Sequence, residues 1–244
     1  MKLANKAIVL TGGSSGVGLA LLAKLACNNQ VVALSRRVPD PSALPDGLTF
    51  THIATDLSDK SAVASAIAQI VERHPKGIDG LINCAAVQIT PRFTDANFDP
   101  ASIAREIAIN LASPIELVAG LLGSLRQRPQ AFILNVNTGL AIAPKNGSAV
   151  YCASKAGLDN FTRGLRAQLA ETQVRVQQAF LPLVETPMTE GRGSGKLTPD
   201  AVADQIIAQI ESDTLDRDIG KVRLLRFINR LSPALSGRIM QKVG

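Results

Sequence analysis

Short apolar stretches rich in β-branched residues alternate along the chain with longer segments whose apolar residues recur every three or four positions. We expect the short stretches to be strands, namely Ala7–Leu10, Val31–Leu34, Leu48–Ile53, Gly80–Ile82, Phe132–Leu134 and Val174–Val176. We expect the longer segments to be helices, namely Val17–Cys27, Lys60–Arg73, Pro100–Arg126, Gly147–Ala170 and Pro199–Glu211. This alternation predicts an α/β fold in which crossover helices cover a parallel sheet.

The length of the chain favours one domain. With 244 residues and 46% hydrophobic content, residues 1–244 can bury a full core as a single α/β domain. The glycine-rich stretch Glu190–Lys196 is expected to be a mobile loop. Ligands of open parallel sheets bind beyond the carboxyl ends of the strands, so the loops after the strands are where functional residues are expected.

Cysteine usage and hydropathy favour a cytoplasmic protein. Cys27, Cys84 and Cys152 lack any paired short spacing, which argues against a disulfide framework and a zinc or other metal site. The apolar run before Thr11 is too short for a secretory signal. The stretch Ile107–Leu125 contains several polar residues and a proline, so no integral membrane segment is expected.

The net charge of +6 does not by itself indicate a nucleic-acid partner. Lysines and arginines are scattered along the chain, and one tyrosine with no tryptophan leaves few side chains on which bases could stack. Ordinary solubility is enough to explain the surplus, and we expect no nucleic-acid partner.

The first predicted strand runs into a glycine loop, Thr11–Gly18, followed by a helix. Backbone N–H groups and the helix dipole converge there on a point that suits a pyrophosphate. We expect Gly12 to allow the tight turn, Gly16 to let phosphates approach, and Gly18 to allow close packing of helix on strand. The predicted contacts are Gly12, Ser14, Ser15, Gly16, Val17 and Gly18. The alternative is a glycine-rich turn that binds nothing.

The end of the second strand indicates which dinucleotide binds. An NAD-selective site would place a carboxylate here, and that carboxylate would repel a 2′-phosphate. This chain has Ser35 followed by Arg36 and Arg37, whose guanidinium groups can bind phosphate oxygens in forked geometry. The prediction is NADP(H) in preference to NAD(H). Asp56 and Leu57, after the third strand, are expected to face the adenine, although Asp56 could equally cap a helix.

Tyr151 and Lys155 lie four residues apart on a predicted helix, so they project from one face about 6 Å apart along its axis. A phenol with a pKa near ~10 is a poor acid–base catalyst at neutral pH, and an adjacent ammonium group is expected to lower that pKa. Thr138, in the loop after the fifth strand, can donate a hydrogen bond to a substrate oxygen.

These motifs together resemble the short-chain dehydrogenase/reductase family over nearly the whole chain. The glycine loop, Asn83–Ala86, Asn110, Thr138 and Tyr151-x-x-x-Lys155 occur in the order and approximate spacing of that family. The resemblance implies a three-layer, doubly wound, Rossmann-like sheet of about seven strands with helices on both faces. The C-terminal tail and the segment Leu181–Thr186 are similar to the DltE-like subgroup, whose substrates are poorly assigned.

The family resemblance also implies roles for individual residues. Tyr151 would donate the proton in carbonyl reduction, Lys155 would bind the nicotinamide ribose, Thr138 would polarise the substrate carbonyl, and Asn110 would hold a relay water. The implied cofactor contacts are Asn83, Ala85, Tyr151, Lys155, Pro182, Val184 and Thr186. Independently, Pro114 has no N–H to donate to the Asn110 carbonyl four residues earlier, so we predict a kink and a carbonyl free to bind that water.

The chain departs from the family pattern in four places. Thr138 stands where serine is usual and narrows the pocket, and Ala86 stands where glycine is usual. The segment Pro182–Thr186 is one residue short. The basic, amphipathic tail from Leu224 to Pro233 could lie on a membrane surface or a partner; the favoured expectation is a helix that packs its leucine and phenylalanine face on the core or on a second subunit.

The sequence therefore predicts an NADPH-dependent oxidoreductase that reduces a ketone or aldehyde, or oxidises the corresponding alcohol, with Tyr151 as the acid–base. The alternative is an NADPH-binding sensor or scaffold without turnover. Leu140–Ser148 and Pro187–Lys196 are expected to line the pocket for a small carbonyl or alcohol substrate. Long helices that could pair with copies of themselves suggest a homodimer or homotetramer.

Overall fold

The computed structural model describes residues 1–241. It contains one seven-stranded sheet whose order is β3-β2-β1-β4-β5-β6-β7, and every neighbouring pair is parallel. The strands are β1 Ala7–Thr11, β2 Gln30–Ser35, β3 Thr51–Ala54, β4 Gly80–Asn83, β5 Ala131–Thr138, β6 Val174–Leu181 and β7 Asp216–Asp218. The predicted parallel, doubly wound fold is confirmed.

Helices cover both faces of the sheet. They are α1 Gly16–Leu25, α2 Lys60–Arg73, α3 Ala101–Ile107, α4 Ser113–Arg126, α5 Ala149–Gln168, α6 Pro199–Glu211, α7 Val222–Leu231 and α8 Pro233–Gln241. One core packs α1 and α6 on the sheet through residues such as Leu21 and Ile206. The other packs α2, α4 and α5 on the opposite face through Ile70, Leu121 and Leu165. β1, β2 and β4 are largely apolar because both faces of the sheet are covered.

β5 and β6 extend to Thr138 and Leu181, beyond the predicted ends at Leu134 and Val176, and two other predicted elements differ for a clear physical reason. The third strand is Thr51–Ala54 rather than Leu48–Ile53, because Leu48 and Phe50 pack against the core from the loop before it. The predicted helix Pro100–Arg126 is interrupted by a wider π-helical turn, Ala108–Ala112, in which the Ser113 N–H donates to the Ala108 carbonyl five residues earlier. This irregularity lies beside Pro114, where the kink was predicted.

The continuous helical segment Ala101–Arg126 is long and apolar enough to cross a membrane by length and composition alone. In the structure it packs within the fold, since Leu117, Leu121 and Leu125 are buried in the core against the sheet.

The C-terminal tail forms α7 and α8. Val222 is buried and Leu225 is half-buried, but Leu224, Phe227 and Leu231 are 60%, 60% and 71% exposed. Leu224, Phe227 and Leu231 therefore do not pack on the core, and packing on a second subunit, the other half of that expectation, stays a prediction.

Candidate active site

A cavity of about 280 Å³ opens beyond the carboxyl ends of the strands. Eighteen of the twenty predicted site residues line it: Gly12, Ser14, Ser15, Gly16, Val17, Gly18, Ser35, Arg36, Arg37, Asp56, Leu57, Ala85, Thr138, Tyr151, Lys155, Pro182, Val184 and Thr186. Asn83 and Asn110 are the two that lie behind its wall, at 3% and 0% exposure. Of the expected substrate loops, the cavity reaches Pro187, Met188 and Thr189 but not Leu140–Ser148.

The glycine loop has the geometry of an anion cradle. Gly12 and Gly16 have φ of +79° and +52°, and a Cβ on Gly18 would lie 2.1 Å from the carbonyl oxygen of Gly12. The Ser15 side chain makes no capping hydrogen bond, and the first turn of α1 has no acidic residue. The first N–H groups of α1 are thus not capped by that side chain, and the positive end of the helix dipole faces the loop.

Thr11, which the sequence reasoning missed as a functional residue, ties this loop to the next one. It lies beside Asn83 in register, and its buried hydroxyl accepts hydrogen bonds from the N–H groups of Cys84 and Ala85, both at 3.0 Å. A Cβ on Gly12 would lie 2.8 Å from the Cα of Ala85. The only sequence signal for this role of Thr11 was a hydroxyl residue at the end of the first strand. The two loops that border the cavity are therefore fixed to each other.

The end of β2 presents its two arginines to the cavity while its serine faces inward. The Ser35 hydroxyl donates to the Arg37 carbonyl at 2.8 Å and bonds His52 Nε2 at 3.1 Å. Arg36 and Arg37 are exposed, and within residues 1–241 neither forms an ion pair with a carboxylate. Both guanidinium groups are free to meet an anion.

Asp56 is engaged locally and does not cap a helix. Its carboxylate accepts hydrogen bonds from the Ser58 hydroxyl at 2.7 Å and the Ser58 N–H at 2.9 Å, and it pairs with Arg105 at 3.2 Å. The Ser58 bonds, aided by Arg105, hold the pKa of Asp56 below its ordinary value. The cap of α2 is Asp59, which accepts from the Ser61 and Ala62 N–H groups. Asp56 and Leu57 line the cavity beside the arginines.

Asn83 belongs to a buried chain of amides rather than to the cavity surface. Its Nδ2 donates to Asn135 Oδ1 at 2.9 Å, and Asn135 Nδ2 donates to the Thr162 hydroxyl at 2.9 Å. This chain joins β4, β5 and α5 just below the cavity. Asn83 therefore supports the wall on which Cys84, Ala85 and Ala86 lie.

The shortened segment Pro182–Thr186 packs over the glycine loop. Val184 is buried and forms a parallel bridge with Leu197. Thr186 precedes a short 3₁₀ turn, Pro187–Thr189, and its Cγ2 would lie 2.8 Å from a Cβ on Gly16. This close approach requires glycine at position 16 and closes one side of the cavity.

Tyr151 is 8% exposed and lines the cavity together with Thr138 and Lys155. Burial raises its pKa well above the ordinary value of 10.0, the nearby groups of Cys152 and Glu106 act in the same direction, and Arg192 opposes them. The predicted lowering of the phenol pKa is thus not the net effect in the structure. Tyr151 is held in its protonated form at neutral pH.

Lys155 is 3% exposed, and its ammonium group donates to the Val136 carbonyl at 2.9 Å. Burial lowers its pKa from 10.5 to about 8, with Cys84 opposing. The backbone carbonyl of Lys155 accepts from Asn137 Nδ2 at 3.2 Å, and Asn137 Oδ1 accepts from the Thr138 N–H at 2.9 Å. Asn137, another residue the sequence reasoning missed, therefore links the backbones of Lys155 and Thr138.

Asn110 fixes the loop after β4 from within the π-helical turn. Its Nδ2 donates to the Val87 carbonyl at 2.8 Å and to the Ser154 hydroxyl at 3.2 Å, while its Oδ1 accepts from the Val87 N–H at 2.9 Å. The side chain is thus fully engaged, and any role in a proton relay would fall to its main-chain carbonyl.

Arg192, in the predicted mobile loop, carries positive charge toward the catalytic side chains. Its guanidinium donates to Gln88 Oε1 at 2.5 Å and to the Met188 carbonyl, and Gln88 in turn donates to the Ser148 hydroxyl just before α5. Within residues 1–241 Arg192 has no carboxylate partner. Because Gln88 and Arg192 are 104 positions apart in sequence, no local pattern could have revealed this contact.

Comparison with known proteins agrees with this geometry. Residues 6–196 match the family model for short chain dehydrogenases. The chain is 31% identical over 192 residues to an uncharacterized oxidoreductase, DltE, of Bacillus subtilis, with 78% of this chain and 76% of that protein covered. It is 33% identical over 193 residues to a fatty acyl-CoA reductase of Mycobacterium tuberculosis, with 76% of this chain and 65% of that protein covered.

A solved structure shows the same fold. A short chain dehydrogenase of Burkholderia cenocepacia in complex with NADP superimposes with a TM-score of 0.86 at 24% sequence identity, covering 99% of this chain and 100% of that one. The family model spans most of the chain, and the sheet order and the cavity agree with it. The chain is an oxidoreductase that belongs to the short-chain dehydrogenase/reductase family.

Proposed function

We propose that this protein is an NADPH-dependent carbonyl reductase that converts a ketone or aldehyde to the alcohol. One observation carries the proposal: Thr138, Tyr151 and Lys155 line the same cavity as the glycine loop and the two unpaired arginines. A dinucleotide whose phosphates lie at one end of this cavity has its reactive end beside a phenol, a hydroxyl and an ammonium group.

The residues present fit NADPH. Positive φ at Gly12 and Gly16 and the tight contact of Gly18 leave a backbone cradle that a Cβ would fill, and this supports binding of the pyrophosphate with Ser14, Ser15 and Val17. Arg36 and Arg37, beside Ser35, suit a 2′-phosphate. Asp56 and Leu57 would border the adenine. The remaining contacts would come from Ala85, Tyr151, Lys155, Pro182, Val184 and Thr186, with Asn83 supporting the wall behind them.

Bound NADPH supplies the hydride that reduces the carbonyl carbon. Tyr151 donates the proton to the carbonyl oxygen, and the ammonium group of Lys155 would stabilise the phenolate that this transfer leaves. Thr138 orients the same oxygen through its hydroxyl. Lys155 binds the nicotinamide ribose and, with a water on the Asn110 carbonyl, returns a proton to Tyr151. The product is an alcohol and oxidised cofactor.

Catalysis can be separated from a sensor role by one assay. NADPH oxidation is followed at 340 nm as absorbance is lost, with a panel of ketones and aldehydes, for the wild type and for Tyr151→Phe. We expect turnover by the wild type, a loss of about 10²- to 10⁴-fold in the variant, and NADPH binding by both proteins. Tight NADPH binding without turnover by any panel member, and indifference to Tyr151→Phe, would favour the sensor.

We also propose that the enzyme is a cytoplasmic homodimer or homotetramer. Support comes from α4 and α5, where Gly123 and Gly164 are exposed and have open space around them, so a second copy could approach closely. The molecular mass of the protein in solution tests the proposed oligomeric state.

A further inference from the structure

The two C-terminal helices carry a row of exposed apolar side chains, which we call the C-terminal strip: Leu224, Phe227, Leu231, Leu235 and Ile239. They are 60%, 60%, 71%, 49% and 38% exposed. The spacing of three and four residues places Leu224, Phe227 and Leu231 on one side of α7, and the spacing of four residues places Leu235 and Ile239 on one side of α8. Large apolar side chains clustered in this way on a protein surface mark an interaction site.

The C-terminal strip belongs to a well-anchored hairpin. Arg226 makes a forked ion pair with Asp218 at 2.7 and 2.8 Å and stacks 4.2 Å above the Phe180 ring. Ser236, fully buried, donates to Asn229 Oδ1 at 2.6 Å and so joins α8 to α7. The inward side chains of the hairpin therefore have partners within the fold. The C-terminal strip faces outward and is available to a binding partner.

Charge on this hairpin has one sign. From Ile219 to the end of the chain the sequence contains six basic residues and no acidic residue. Arg226 is neutralised by Asp218, but Lys221, Arg223, Arg230 and Arg238 are exposed beside the C-terminal strip and form no ion pair within residues 1–241. The surface that covers the C-terminal strip should therefore be apolar within and negatively charged at its boundary.

A symmetric contact between the C-terminal strips of two copies does not meet that requirement. In a two-fold symmetric contact the same patch meets itself, so Arg223, Arg230 and Arg238 of one copy would approach the same arginines of the other without an acidic residue on either hairpin. An anionic bilayer does meet it, because its acyl region accepts the apolar side chains while its headgroups pair with the arginines.

We propose that the hairpin α7–α8 docks on the surface of anionic phospholipid membranes through the C-terminal strip. The helices lie in the interface and do not span the membrane. On the inner side of the hairpin, the side chains of Val222 and Leu225 reach within 3.4 and 3.2 Å of the Cβ position of Gly139, next to Thr138. Docking therefore holds the catalytic end of the molecule close to the lipid, where apolar carbonyl compounds partition.

The chain has no tryptophan, so one introduced indole reports on this surface without background. Phe227→Trp keeps an apolar ring in the C-terminal strip, and Val71→Trp, on α2 and 44% exposed, is the matched control. Vesicles of phosphatidylglycerol and phosphatidylcholine are compared with vesicles of phosphatidylcholine alone. We expect a blue shift for Phe227→Trp with the anionic vesicles only, reversed by high salt, and no shift for Val71→Trp.

Cosedimentation of the full chain with the same vesicles provides the quantitative test. We expect at least 10-fold tighter binding to the anionic vesicles, and at least a 10-fold loss for Phe227→Ser/Leu231→Ser and for Arg223→Ser/Arg230→Ser. Val71→Ser and Arg175→Ser should bind as the wild type does. The proposal is overturned if the protein sediments equally with both kinds of vesicle. It is also overturned if Val71→Ser and Arg175→Ser lose binding as much as the variants of the hairpin do. The proposal is also overturned if the protein is a dimer that Phe227→Ser/Leu231→Ser dissociates and the vesicles have no effect. In that case a second copy of the chain covers the C-terminal strip.

Discussion

The ammonium group of Lys155 lies 2.9 Å from the main-chain oxygen of Val136 and donates a hydrogen bond to it, in a position 3% exposed. The lysine is therefore held by β5, two residues before Thr138, rather than by its helical neighbour. Burial, which acts on both side chains, lowers the pKa of Lys155 to about 8 and raises that of Tyr151. Both shifts disfavour the charged forms, which are the ammonium group of Lys155 and the phenolate of Tyr151.

The buried lysine should make stability depend on pH. Because the folded-state pKa of about 8 lies below the ordinary 10.5, the unfolded chain binds more protons from pH 8 to 10.5, and the free energy of unfolding rises with pH there. We expect a rise of about 1 kcal/mol between pH 7.5 and 9 in urea unfolding, absent from Lys155→Met. The raised pKa values of Cys84, Cys152 and Tyr151 act in the opposite direction as pH approaches and passes their ordinary values of 9.0 and 10.0, so the contribution of Lys155 is taken as the difference between the wild type and Lys155→Met. A lysine-independent profile between pH 7.5 and 9 would contradict this.

The two arginines after β2 should discriminate between the dinucleotides. Arg36→Ala/Arg37→Ala removes charge-assisted bonds to a 2′-phosphate, so we expect the Kd for NADPH to rise about 10- to 100-fold and that for NADH to change less than about 2-fold. Titration followed by nicotinamide fluorescence measures both values. Arg175→Ala, which removes an arginine paired with Asp213 at the opposite end of the sheet, is the control. A parallel loss for both dinucleotides would argue against the assigned contact.

Two helical glycines should respond in opposite ways to the same added methyl group. Gly18→Ala would place a Cβ 2.1 Å from the Gly12 carbonyl oxygen, so the glycine loop must shift and we expect a loss of stability and of NADPH binding. Gly123→Ala, on α4, meets nothing within 4 Å and should be neutral or stabilise by up to about 1 kcal/mol. Thermal unfolding with and without NADPH compares them. Equal behaviour of the two variants would show that α1 does not approach the end of β1 this closely.

Asn110 should contribute to stability through Val87. Asn110→Ala leaves the N–H and carbonyl of Val87 without their side-chain partners, and we expect a loss of about 1 to 3 kcal/mol in the free energy of unfolding. Asn97→Ala, at an exposed position, should change it by less than about 0.5 kcal/mol. If Asn110→Ala unfolds with the wild-type midpoint, the loop after β4 is held by other contacts.

Much of the fold could be predicted from the chain because its strands are buried on both faces and its helices are amphipathic. The edge strand β7 was missed, since Asp216–Asp218 is polar and is recognisable only through its pairing with β6. The break at Ala108–Ala112 depends on how one turn widens beside Pro114. The apolar pattern of the tail indicated a helix, but which side faces outward is decided by the space left beside Gly139.

The candidate site was predicted where motif and geometry coincide, and less well where long-range contacts decide. The glycine loop, Thr138, Tyr151 and Lys155 line one cavity as expected. The direction of the Tyr151 pKa shift was not predictable from a four-residue spacing, because burial is its largest cause and the groups of Cys152 and Glu106 act in the same direction. The positive charge of Arg192 near this tyrosine arises from a loop far away in sequence.

Transfer of deuterium from NADPH to the product tests whether the protein reduces a carbonyl carbon by hydride transfer with Tyr151 as the proton donor. NADPH deuterated at the C4 position of the nicotinamide, prepared separately with each face labelled, is incubated with the enzyme and a carbonyl compound that it turns over, and the alcohol is analysed by mass spectrometry. We expect one of the two labelled forms to deliver one deuterium to the carbinol carbon, and Tyr151→Phe to yield almost no labelled alcohol. Oxidation of NADPH with no deuterium in the product, or equal labelled product from Tyr151→Phe, would contradict it.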